Sequence, residues 1–243
     1  MKARLAVSCM LLPTLVAGCA HHAKPAPALR ATAAGSALVV SSGDKQLGTP
    51  GTPLPQPVVV QVNDEQGNGV PGALVKLSGA AGLVFDPAAA LTDSNGQVTV
   101  NVKLANSSGR YEITATSPDK KGQPLVLKVS ELAAGYQQRL GYELQKDYCS
   151  RCHNPDSTAE QVSNYDNLAV KPHAFEQGDT FNKLSDADLA AIVSHGGPAL
   201  NLSALMPAYG GTFSEADIRA VVAYIRLVSD PPYQSPGVVY AKR

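Results

Sequence analysis

Hydrophobic residues follow two different rhythms along this chain, and the change between them comes shortly after Glu131. From Ser36 to Glu131, apolar and polar positions alternate in short runs separated by Gly, Pro, Asn and Asp. The runs Val58-Val59-Val60-Gln61-Val62, Ala73-Leu74-Val75-Lys76-Leu77, Gln97-Val98-Thr99-Val100-Asn101-Val102, Tyr111-Glu112-Ile113-Thr114-Ala115-Thr116 and Leu125-Val126-Leu127-Lys128-Val129 each predict a strand with one buried and one wet face. Asp93-Ser94-Asn95-Gly96 predicts a tight turn before the third of them. Strands at this spacing predict a two-sheet antiparallel sandwich.

Beyond residue 135 the period becomes helical. Tyr136 to Tyr148 predicts a helix with Leu140 and Leu144 one turn apart. Gly141 interrupts it, at a cost of about 0.5–1 kcal/mol, and so asks for a second helix passing close by. Ser185 is an N-cap with Asp188 three residues on, Leu189, Ile192 and Val193 facing inward, and Gly196-Gly197 as the stop. Ser214 caps a last helix with Asp217 at N3 and a stripe of Ile218, Val221, Val222 and Ile225, closed by Pro231-Pro232. Asn154 to Lys183 shows no firm pattern and is expected to be a loop, with Tyr165, Phe175 and Phe181 as aromatics that could lie against a bound ring.

The first residues read differently again. Lys2 and Arg4 precede an apolar run from Leu5 to Val16, too short to span a bilayer, that closes on Leu15-Val16-Ala17-Gly18-Cys19. That segment resembles the lipobox of bacterial lipoproteins. The resemblance implies a signal peptide at 1–18, a lipid-bearing Cys19, an extracytoplasmic address and, from Ala20, sorting to the outer membrane. Residues 19–35 are rich in Ala and Pro and are expected to form a tether, and 231–243 a loose tail.

Composition narrows the function. With 243 residues, 44% hydrophobic and 16% charged, the chain suits two folded domains, and its net charge of zero offers no basic excess for nucleic acid. Of four cysteines, two lie near the start and two in Cys149-Ser150-Arg151-Cys152-His153. Thiols about one helical turn apart, followed directly by an imidazole, read as the covalent attachment site of one c-type haem. A structural zinc site would need a second ligand pair, and no cysteine follows Cys152. A thioredoxin-like dithiol would need a βαβ context that is absent here. Met206 is the one methionine beyond residue 10, and Pro207 pushes it toward extended backbone, from which its thioether could reach an iron. A core filler is the alternative role for Met206, and His195 and His173 are the alternative distal ligands.

Two further resemblances rest on these residues. SGDKQLGTPGTPLPQPVVVQVNDEQGNGVPGALVKLSG, LTDSNGQVTVNV and SGRYEITATS resemble the bacterial immunoglobulin-like domain of the invasin and intimin type, which places Tyr111 at a tyrosine corner and implies a spacer or docking module at 36–131. Residues 135–230 resemble a monohaem class I cytochrome c domain. That resemblance implies Met206 as distal ligand, Tyr224 where the terminal helices cross, and the carbonyl of Pro172 as acceptor for the second N–H of His153. The expected fold class is therefore an all-β immunoglobulin-like sandwich followed by an all-α cytochrome c domain.

The expected function is a lipid-anchored periplasmic or cell-surface electron carrier without catalytic residues, either free or as a subunit of a larger oxidoreductase. Residues 135–230 hold seven Lys and Arg against twelve Asp and Glu, which predicts redox partners with a basic docking face. The competing functions are a haem enzyme or gas and peroxide sensor with an open distal site, and an adhesion module with an attached cytochrome.

Overall fold

The computed structural model describes residues 29–157 and 162–236. The expected signal peptide, Cys19 and most of the expected tether lie outside them, as does the tail beyond residue 236.

The first half is a sandwich of two sheets. One holds β1 (Ala37–Ser42), β3 (Val58–Asn63), β7 (Gln97–Lys103) and β5 (Val84–Asp86) in the order β1-β3-β7-β5. The other holds β2 (Leu47–Gly48), β9 (Pro124–Ala133), β8 (Gly109–Pro118), β4 (Leu74–Gly79) and β6 (Ala89–Leu91) in the order β2-β9-β8-β4-β6. All pairings are antiparallel except β2 with β9. The strict alternation of β7 sends Val98, Val100 and Val102 into the core and leaves Thr99, Asn101 and Lys103 exposed. They meet Val58, Val60 and Val62 of β3 and, from the facing sheet, Val75, Ile113, Ala115 and Val129. The expected strands are all present; β1, β2, β5 and β6 are additional.

Local chemistry closes the sandwich. Asp93 Oδ1 accepts from the amides of Asn95 and Gln97, while Gly96 takes φ +76°, a conformation costly for any residue with a Cβ. The turns at Asp64 and Asp119 repeat the device, each aspartate accepting from the amides two and four residues on. Tyr111 is buried and its hydroxyl donates to Ser107 O at 2.8 Å, which makes the tyrosine corner. The expected tether ends earlier than residue 35: Thr32 N donates to Gly72 O, and Ala33 and Gly35 form bridges to Ala73 and Asp119.

The second half is helical, with α1 (Tyr136–Tyr148), α2 (Ser150–His153), α3 (Gly178–Phe181), α4 (Asp186–His195) and α5 (Glu215–Val228). Ser185 with Asp188 and Ser214 with Asp217 form the two expected capping boxes. Helices α1 and α5 cross at Gly141, where a Cβ would lie 2.0 Å from Ala220 O and 2.8 Å from Tyr224 Cβ, and Tyr142 and Tyr224 pack ring against ring beside the crossing at 5.7 Å. The glycine exists for this close approach. Ile218, Val221, Val222 and Ile225 then bury against Leu189, Val193, Phe181 and Phe213.

The expected loose tail is pinned at its start. Asn182 Nδ2 donates to Pro231 O, and the Tyr233 ring lies 3.8 Å from the Arg226 guanidinium, which also pairs with Asp186 at 2.9 Å. The sandwich likewise runs on past residue 131. Strand β9 continues to Ala133, and Leu132 packs into the helical core. With only Ala134 and Gly135 between β9 and α1, the two halves have no flexible linker. Gly135 N donates to Ser108 Oγ, and Arg139 reaches Thr49 Oγ1 at 3.3 Å.

Candidate haem site

Cys149 closes α1 and opens α2, and the amides of Cys152 and His153 both donate to its carbonyl at 3.0 Å. This single turn carries both thiols and the imidazole on adjoining positions. Both cysteines are free and partly exposed. Burial, helped by the neighbouring Cys152, pushes the Cys149 thiol up to about 12, so it stays protonated.

His153 Nδ1 donates to the carbonyl of His173 at 2.7 Å. A carbonyl can only accept, so the proton sits on Nδ1 and the Nε2 lone pair is left for a metal. Burial lowers the pKa of His153, and the electrostatic effect of His173 adds to this while its backbone hydrogen bond opposes it. The acceptor is thus His173 and not Pro172, one residue from the expected carbonyl. The reason is the turn that comes next: His173 Nδ1 donates to Gln177 Oε1 at 2.8 Å and Gln177 N to Ala174 O, which aims the His173 carbonyl at α2. Phe175 from the same turn stacks on the His153 ring at 4.8 Å and 28°, and packs on Phe181. Of the three aromatics expected near a bound ring, Phe175 touches the imidazole, Phe181 lies in the core, and Tyr165 sits under Lys171.

His173 therefore belongs to the side of His153 that bears Nδ1, which rules against it as a ligand on the opposite face. His195 is exposed in the last turn of α4, where a basic side chain complements the helix C-terminus.

Met206 sits on a loop seated against the end of α4. Gly197 N donates to Met206 O at 3.0 Å, and a Cβ on Gly197 would fall 1.9 Å from Ser203 O and 3.2 Å from Met206 Cβ. The Gly196-Gly197 pair thus makes a cradle that any side chain would fill. Tyr209, three residues on, ties this loop to the cysteine turn: its hydroxyl donates to Tyr148 O at 2.9 Å, next to Cys149. Burial first, and then the neighbouring Cys149 and Cys152, push the Tyr209 hydroxyl up to about 12. Tyr209 also stacks on Phe213, whose edge meets Tyr148. Sequence reasoning misses this tie, for which an aromatic close after Met206 is the one available signal. Met206 itself is partly exposed, as are the neighbouring Leu202 and Leu205 more fully, so it is no core filler.

The donor set fits a c-type haem: two unpaired thiols one turn apart, an imidazole with a free Nε2, and a thioether on a loop fastened to the same turn. Among the described residues no group of three or more His, Cys, Asp or Glu is placed to hold a bare metal ion. A cleft of about 560 Å³ opens near Phe175 and Glu176; it is lined by His153 and Ser150 but by neither cysteine nor Met206.

Residues 137–225 match the family model described as cytochrome c oxidase, cbb3-type, subunit III, and residues 56–129 match that of the bacterial Ig-like domain, group 1. The chain is an Ig-like sandwich followed by a helical region that matches a cytochrome c domain. The cytochrome c match implies haem and is consistent with electron transfer rather than with a catalytic enzyme, and both matches suggest an extracytoplasmic protein. No curated protein matches. Among solved structures, the D00-D0 domain of Intimin aligns at 17% identity over 42% of this chain and 50% of its own, with a TM-score of 0.33. The adhesin InvE of Yersinia pseudotuberculosis aligns at 18% identity over 40% of this chain and 32% of its own, with a TM-score of 0.30. This chain therefore spans half or less of either structure. No helix among the described residues is long and apolar enough to cross a membrane.

Proposed function

We propose that this protein is a monohaem electron carrier in which Cys149 and Cys152 bind one haem c covalently and His153 and Met206 ligate its iron. The observation that carries the reading is the His153 Nδ1 bond to His173, which fixes the tautomer that frees Nε2 directly beside two unpaired thiols. A haem held there supplies one-electron exchange between ferric and ferrous iron. The protein's part is to hold it still. His153 is oriented by His173 and Phe175, and its basicity is raised by the hydrogen bond it donates, which favours the ferric state. Met206 opposes this, because a thioether favours the ferrous state. With His153 and Met206 both holding the iron, no small substrate would gain access to it.

The test is the absorption spectrum of haem-matured protein, oxidised and reduced, beside Met206→Ala. A far-red sulfur-to-ferric-iron band in the wild type that is lost in the variant, with a lower midpoint potential, is the expected result. A wild type without that band would remove Met206 from the iron and leave an open distal site. Cys19 is proposed to carry a lipid anchor, so the same protein should fractionate with outer membranes and Cys19→Ser with the soluble phase; identical partitioning of the two would refute the anchor.

The helical domain is acidic before any propionate is added, and its proposed redox partners present a basic docking face. Electron-transfer rates with such a partner should fall as salt rises, because screening shortens to about 8 Å near 0.15 M and to about 3 Å at 1 M. Rates that hold steady over that range would rule out electrostatic steering.

A further inference from the structure

The sandwich reaches into the helical domain through one side chain. Arg110, at the start of β8, donates from Nη2 to Val228 O, the last carbonyl of α5, and from Nη1 to Ser130 Oγ at 3.2 Å. Its Nε is buried with no partner, so the guanidinium is enclosed at the junction and not draped over a surface. A cation on the final carbonyl of a helix also answers the partial negative charge that collects there.

The segment after Val228 extends the reach of this contact. The chain leaves α5 through Ser229, and Asp230 then pairs with the turn after His173: Asp230 N donates to Glu176 O at 2.8 Å and Gly178 N to Asp230 O at 3.0 Å. The approach is tight, since a Cβ on Gly178 would fall 2.3 Å from Pro231 O. One residue away, Gln177 accepts from His173 Nδ1, and the carbonyl of His173 accepts from His153 Nδ1. An unbroken path of hydrogen bonds and short chain segments therefore runs from Arg110 through Val228, Asp230, Glu176 and Gln177 to the imidazole of His153. Tyr224, whose hydroxyl pKa is raised by burial and by Glu176 and opposed by Arg110, lies beside the same path.

We infer that Arg110 is a positioning residue for His153, so that the immunoglobulin-like domain sets the orientation of the His153 imidazole and thereby the redox potential of a haem held there. This rests on the haem reading of the site. Arg110 holds the end of α5, the end of α5 holds the 176–178 turn, and that turn holds the His173 carbonyl at hydrogen-bond distance from Nδ1. If the turn loosens, the Nδ1 bond weakens, the imidazole becomes a poorer donor to ferric iron, and the potential rises.

The charge of Arg110 would complicate a simple deletion, because removing a cation near the site lowers the potential's ferrous preference in its own right. Arg110→Lys keeps the charge and abolishes the planar fork that spans Ser130 and Val228. In haem-matured full-length Arg110→Lys, the midpoint potential should rise, the hyperfine-shifted His153 ring resonances should move, and amide exchange at Gly178 and Asp230 should quicken by tenfold or more, with haem content unchanged. Arg139→Gln breaks a different junction contact, the bond to Thr49, and should leave all three readouts at wild-type values. Wild-type potential and wild-type exchange in Arg110→Lys would overturn the inference, as would equal shifts in Arg139→Gln. A protein that binds no haem covalently would sink the reading of the site instead. Exchange at Gly178 and Asp230, which needs no haem, separates the two failures.

Discussion

Replacing Gly141 should strongly destabilise the helical domain. A Cβ at that position would sit 2.0 Å from Ala220 O and 2.5 Å from its carbonyl carbon, and these are backbone atoms of α5 that no rotamer change can move aside. Accommodating even a methyl group means separating α1 from α5, and with them the paired rings of Tyr142 and Tyr224 and the apolar stripe beneath. Overpacking costs typically 1–3 kcal/mol and more where backbone must shift, whereas Gly→Ala inside a helix returns about 1 kcal/mol of propensity. Packing wins: Gly141→Ala should lose about 3 kcal/mol net, and Gly141→Val more, with β-branching adding its own penalty. For a unit of this size the apparent midpoint should fall by roughly 10–20 °C, read from the helical signal in a thermal melt. A Gly141→Ala protein as stable as wild type would mean that the helices do not cross where the structure puts them. The same separation pulls α1 away from Cys149, so haem content should fall with stability.

Gly141 also marks what a sequence can and cannot disclose. A glycine inside a helical period is an anomaly that points to its own cause, and the capping boxes at Ser185 and Ser214 are equally local, each written in four consecutive residues. The proposed haem-binding turn is local in the same way, since five adjacent residues carry three of its proposed donors. The strands with a full alternating period, β3, β4, β7, β8 and β9, are readable for the same reason. By contrast, β5 and β6 have three residues each and β2 two, too few for any period to show, while β1 at a sheet edge has no strict alternation of burial. Contacts to backbone carbonyls are the hardest to foresee, because every residue offers the same acceptor. Nothing in the residue types distinguishes His173 O from Pro172 O, and an arginine in a strand reads as surface charge. Arg110 finds its acceptor 118 residues away. Only the fold brings the two together, with the sandwich joined to α1 through two residues.

The junction carries one more group with a large expected effect. Glu131 lies in β9 at 0% exposure, next to Leu132, which enters the helical core. Its Oε2 accepts from Gln46 N at 2.6 Å, while its Oε1 has no partner. Burial pushes its carboxyl up to about 7; the Gln46 amide pulls the other way, and the charge of Asp44 adds a little to the rise. The folded-state pKa is therefore above the unfolded value near 4.5, so the folded protein binds the proton more tightly than the unfolded chain does. The stability that this proton confers is fully present below pH 4.5 and is lost as pH rises through about 7. At about 1.4 kcal/mol per unit, the loss comes to about 3 kcal/mol. Wild-type protein should accordingly show a urea midpoint that declines from about pH 5 to about pH 8. Glu131→Gln keeps an acceptor for Gln46 N and cannot ionise, so its midpoint should stay flat across that range. At about pH 8 the variant should be the more stable protein by about 2 kcal/mol, since the second amide hydrogen it introduces lacks a partner and returns about 1 kcal/mol of cost. Parallel pH profiles for the two proteins would show that Glu131 is not the group that titrates. A variant less stable than wild type at the alkaline end would show that the ionised carboxylate is stabilised by something other than Gln46 N.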